Sequence, residues 1–192
     1  MIEALWFYLK LGFWHVIDKQ GLDHLYFIVT LAIPFTFKQS KKLLLWVTVF
    51  TIGHTISLFG NLYSEIEFSS YWIELLIPIT IGINAIMLFP SKKTFIFFNK
   101  TYFFPIMTLV FGLIHGLGFA RYFKIIIPQD EIEFSLFSFA LGVELAQIAI
   151  VVLVLISSFF IIRIFRRSKN SWEFLVGAMI LSQALGMILE RI

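Results

Sequence analysis

Four histidines, His15, His24, His54 and His115, have the widest chemical reach in this chain, and Asp23, Glu74 and Glu144 share their apolar surroundings. Imidazoles and carboxylates together suit a borderline divalent ion such as Ni²⁺, Co²⁺ or Zn²⁺. The chain has no cysteine, which removes thiolate sites, disulfides and a cysteine nucleophile. His15, Asp23, His24, His54, His115 and Glu144 are therefore the expected metal ligands, with Glu74, Gln147, Thr51, Thr55 and Gln183 expected to support them. Asp23 and His24 are adjacent, and successive residues of a helix are turned by about 100°. Either one is a ligand and the other its hydrogen-bonded partner, or Gly21 lets the backbone bend.

The elements that must position these groups are read from hydropathy. The chain has 192 residues, 59% of them hydrophobic and 14% charged, with a mean hydropathy of +0.91. That leaves too little polar surface to cover a water-soluble globule. Apolar runs near 2–17, 22–37, 43–62, 71–90, 104–122, 135–162 and 172–190 predict an all-α, polytopic transmembrane helical bundle of about seven spans. Glu3 and Lys10 interrupt the first run, so six spans plus an interfacial N-terminal helix is the alternative. The same two charges make a cleavable leader unexpected. One integral-membrane domain over residues 1–192 is expected. Nucleic-acid binding is not, because the basic residues lie between apolar runs and form no basic face.

Charge orients the bundle. Lys38, Lys41, Lys42, Lys92, Lys93, Lys100, Arg163, Arg166, Arg167 and Lys169 fall in alternate breaks, on one side. The opposite breaks carry Asp18, Glu65, Glu67, Asp130, Glu131 and Glu133. The positive-inside rule places the basic loops in the cytoplasm, in a bacterial inner membrane. His15, Asp23 and His24 then lie at the outer rim, with Glu74 near the outer end of its span. At 1.5 Å per residue His54 lies roughly 16 Å along its span and His115 at a similar depth, while Glu144 sits roughly 13 Å below the outer surface. Polar groups scattered by accident would not share one depth. The bland readings are helix-to-helix hydrogen bonds for single histidines and snorkelling for Glu74 and His15. Asp18 reads as a solvated connector and the five tryptophans as interface anchors. Glu144 is harder to dismiss, because an unpaired carboxylate at that depth costs several kcal/mol.

Local patterns agree. Thr51, His54 and Thr55 share a helix face, as do Glu144 and Gln147. Gly112 and Gly116 form a small-xxx-small pair that lets another helix approach beside His115. "GFWHVIDKQGLDHLYF", "FTIGHTISL", "FGLIHGLGFA" and "FALGVELAQ" resemble, in order, the blocks of the HupE/UreJ family. The resemblance covers roughly residues 10 to 150. It implies a small polytopic nickel or cobalt permease linked to hydrogenase and urease maturation, and carries over His15, Asp23, His24, His54, His115, Glu144 and Gln147. The partners it implies are a metal ion, the lipid bilayer and metalloenzyme-maturation proteins. A second reading is a zinc-dependent intramembrane hydrolase or acyltransferase acting on a lipid or lipidated substrate, with Asp23 or Glu144 as base. Three or four histidines on seven spans also resemble the alkaline ceramidase and adiponectin receptor group, although that group's motif spacing is not matched.

Overall fold

The computed structural model describes residues 2–18, 22–64, 69–90, 103–128 and 131–192. Lys19, Gly21, Glu65, Glu67, Lys92, Lys93, Lys100 and Asp130 of the connecting breaks lie outside them. The described chain is all-α and has seven helices, with no strand. They are α1 (Ile2–Ile17), α2 (Asp23–Ala32), α3 (Ser40–Tyr63), α4 (Ser70–Ile86), α5 (Phe103–Ile126), α6 (Ile132–Phe159) and α7 (Lys169–Leu189). A short 3₁₀ turn, Phe37–Gln39, leads into α3, and a π turn, Phe160–Ile164, ends α6.

The order follows the apolar runs, but the lengths do not. Helix α2 has 10 residues rather than the expected sixteen or so. Pro34 explains the early stop, since it has no N–H with which to continue the ladder beyond Ile33, whose own N–H still reaches the Val29 carbonyl. Ten residues rise roughly 15 Å, about half of a bilayer's hydrocarbon core. Helix α4 carries Pro78 inside its 17 residues. Four segments are long and apolar enough to cross a membrane alone: Phe37–Tyr63, Pro105–Ile126, Ile132–Ile164 and Lys169–Leu189. Large apolar side chains such as Leu45, Ile52, Phe137, Leu153 and Met179 face outward from them. In water this surface would be untenable, and in lipid it is what a bundle presents. The protein is an integral membrane protein.

The helices pair through glycine. Helix α3 packs along α5, α1 along α6, and α4 along α7. A Cβ on Gly112 would strike the Phe50 carbonyl oxygen, and one on Gly53 that of Leu109, so α3 and α5 approach backbone to backbone. Gly12 and Gly142 do the same for α1 and α6, against Phe139 and Leu9. The short α2 sits among these pairs and touches α6, α4, α1, α7 and α3. Helix α1 is thus a full member of the bundle despite Glu3 and Lys10. Trp46 is buried, not an interface anchor, whereas Trp6, Trp14 and Trp72 are exposed.

Candidate metal centre

Each pairing delivers an imidazole to one place. His15 comes from the last turn of α1 and His24 from the first turn of α2. His54 and His115 come from the glycine-bearing middles of α3 and α5. A Cβ on Gly116 would collide with the His54 carbonyl oxygen, so the residue beside His115 fixes the height of His54. His24, His54 and His115 are almost completely buried. Their ring centroids lie 5.4 Å (His24–His54) and 5.3 Å (His24–His115) apart, with His15 at 4.7 Å from His24 and 5.8 Å from His54. Phe119 and Phe139 wall the group, Phe119 lying 3.9 Å from His15 by ring centroid.

His15, His24 and His54 can each offer a ring nitrogen within 4.8 Å of the other two. Among the described residues they form the one set of three such ligands. A tetrahedral ion with bonds of about 2.0–2.1 Å sets its nitrogens about 3.4 Å apart, so modest ring movements close the set. The Nε2 atoms of all four histidines are buried without a hydrogen-bond partner among the described residues. A buried polar atom left unmade costs about 1–3 kcal/mol, so four in one cluster ask for a common ligand. Their tautomers suit one. His115 Nδ1 lies 2.8 Å from the Phe111 carbonyl, which only accepts, so Nδ1 carries the proton and Nε2 keeps its lone pair. His24 Nδ1 likewise donates to Asp23 Oδ1 at 3.2 Å. That aspartate oxygen also accepts the His24 backbone N–H at 3.0 Å. The His24 ring faces the cluster, and Asp23 Oδ1 holds it from behind, an arrangement compatible with the first reading of the pair.

Other expected groups stand elsewhere. Glu144, expected beside the histidines, meets Thr48 and Thr51 of α3 instead. Its carboxylate accepts from Thr48 Oγ1 at 2.7 Å and from Thr51 Oγ1. The Gln147 side-chain amide lies 3.2 Å from Thr51 Oγ1, and Thr55 donates to the Thr51 carbonyl at 2.7 Å. Thr48, Thr51, Thr55 and Glu144 line a lipid-side groove of about 350 Å³. Depth was the clue to Glu144, but depth says nothing of which way a side chain faces around its helix. Glu74 is exposed, its carboxylate 3.9 Å from Arg191, and Gln183 is also exposed.

Asp18 is exposed, as a solvated connector would be. With His15, Trp14, Phe119 and Tyr122 it also lines a cavity of about 600 Å³ at the end of α1, whose one member from the histidine cluster is His15. Its spacing of three from His15 puts the two near one helix face. On the far side of the cluster, Asn84 Nδ2 donates to Thr30 Oγ1 at 3.1 Å, and both side chains are buried with Thr80 nearby in sequence on α4.

The chain that builds this centre matches a known family over almost its whole length. Residues 1–191 match the family described as HupE / UreJ protein. The chain belongs to the HupE / UreJ family. The match takes in essentially the whole chain, including α7, which contributes nothing to the histidine cluster. Comparison with curated proteins and with solved structures found no match.

Proposed function

We propose that this HupE / UreJ protein is a permease for a divalent transition-metal ion of the nickel and cobalt type. The observation that carries the reading is the meeting of His15, His24 and His54 within ligand distance, with His115 beside His24, all four Nε2 atoms lacking a partner among the described residues. Neutral imidazoles without thiolate suit Ni²⁺, Co²⁺ or Zn²⁺, and family membership favours the first two. His15, His24 and His54 hold the ion, His115 stands next to them as a fourth donor, and Asp23 fixes the His24 ring. The cavity lined by Asp18 and His15 admits the ion from the outer end, where a carboxylate concentrates cations. Thr30, Thr80 and Asn84 supply buried oxygen groups further along α2 and α4, toward the end bearing Lys38 and Arg163. By the positive-inside rule that end is cytoplasmic, in a bacterial inner membrane, where metalloenzyme-maturation proteins would receive the ion.

The zinc-hydrolase reading needs a carboxylate base facing the metal. Glu144 faces the groove instead, and Asp23 is engaged by His24, so transport is the better supported reading. Metal content of the purified chain, with and without His54→Ala, tests the shared premise, and equal content would end it. Uptake of Ni²⁺, Co²⁺ and Zn²⁺ into proteoliposomes tests transport. Flux lost in His54→Ala supports the permease, whereas tight metal retention without flux supports the hydrolase.

A further inference from the structure

At the opposite end of the bundle from the histidines, a second cavity of about 330 Å³ opens between the α2–α3 connection and the end of α6. Its polar lining is Thr36, Lys38, Ser158 and Arg163, and no carboxylate lines it. Its remaining wall is apolar and largely aromatic, including Phe35, Phe37 and Phe159. Among the described residues Lys38 and Arg163 have no ion-pair partner. The nearby Glu173 is engaged by Lys169, at 3.5 Å, and Lys169 also donates to the Pro34 carbonyl at 2.7 Å. The positive charge of this socket is therefore not neutralised from within.

Ser158 adds a fixed donor. Its Oγ accepts from Trp172 Nε1 at 3.0 Å, and an indole N–H can only donate. The hydroxyl hydrogen of this buried serine is left without an acceptor among the described residues. The connection carrying Lys38 is itself held in shape, because Gln39 Oε1 accepts from both the Thr36 N–H and the Thr36 hydroxyl. Phe37 packs edge-on against Phe159, joining that connection to α6. Lys38 lies at the start of one spanning segment and Arg163 at the end of another, the level at which lipid phosphates lie.

We infer that this socket binds the phosphate of an anionic phospholipid, with Lys38 and Arg163 pairing the charge, Ser158 donating to a phosphate oxygen, and an acyl chain lying on the apolar wall. Phosphate supplies the acceptors that these three donors lack. The apolar lining, continuous with the lipid-facing surface of α6, is what selects a lipid over a free anion. The site is independent of the metal reading.

Native mass spectrometry of the full chain in detergent, titrated with phosphatidylglycerol and with phosphatidylcholine, tests it. One retained phosphatidylglycerol per chain is expected, bound at least tenfold more tightly than phosphatidylcholine. Lys38→Gln/Arg163→Gln should remove that preference, and Ser158→Ala should weaken it severalfold. Lys41→Gln/Arg167→Gln, which changes basic residues outside the cavity, should leave it intact. Equal retention of the two lipids, or equal loss from both double variants, overturns the inference. Displacement of the lipid by millimolar inorganic phosphate would also overturn it, reassigning the socket to a free anion.

Discussion

Two polar clusters hang on the same helix, three residues apart, and they are opposites. His54 turns toward α1 and α2, into a group whose Nε2 atoms have no partner. Thr51 turns toward α6, into a group where Glu144 takes hydroxyls from both Thr48 and Thr51. A membrane interior has no water to answer a polar atom, so each must be met by the protein or by something that comes to it. The Glu144 cluster is largely met from within and acts as a clasp between α3 and α6. Among the described residues the histidine cluster is not, and this supports the metal site proposed there.

That contrast can be broken most directly at its centre. His24→Ala removes the imidazole that neighbours the other three, and metal content measured by mass spectrometry should fall more than 100-fold. Substoichiometric loss would mean that the remaining histidines form the site without it. Asp23→Ala leaves the ring in place but untied, and affinity should drop about 10–100-fold. Asp23→Asn should recover part of this, because an amide oxygen still accepts from Nδ1–H. Identical losses in both variants would assign Asp23 a direct charge role. Gly116→Ala drives a methyl into the His54 carbonyl and should lower affinity about tenfold while destabilising the fold by about 1–3 kcal/mol. An unchanged melting temperature would show that the α3–α5 contact is looser than described. The smallest effect belongs to the other cluster. Glu144→Gln should leave metal affinity within twofold and shift stability by about 1 kcal/mol. A tenfold loss of metal there would erase the distinction between the two clusters.

How much of this was legible beforehand follows the same line. Helical periodicity and hydropathy place residues along an axis, and the seven helices appear in the order so read. The depths of the histidines and of Glu144 are consequences of the same count. Direction around the axis is another matter, since a neighbour decides which face is inside. Glu74 and Gln183 sit on exposed faces of their helices among the described residues, and Glu144 faces a groove because Thr48 and Thr51 lie opposite it. The break in α2 was written in Pro34, but an apolar run on either side of the proline masked it. Asp23 and His24 left two arrangements open, and only the Nδ1 contact separates them. Asp18 follows the last residue of α1, and its place beside His15 in one cavity depends on packing against Phe119 and Tyr122 that its own segment does not reveal.

The glycine contacts also set the moving parts. With backbones touching, α3 and α5 cannot slide past each other without separating, and neither can α1 and α6. His54 and His115 ride on the first rigid pair, His15 on the second, and His24 on the short helix wedged between them. The four imidazoles are therefore mounted on three bodies. A fraction of an ångström of rocking between those bodies would change the grip on an ion bound as proposed, with no helix needing to bend.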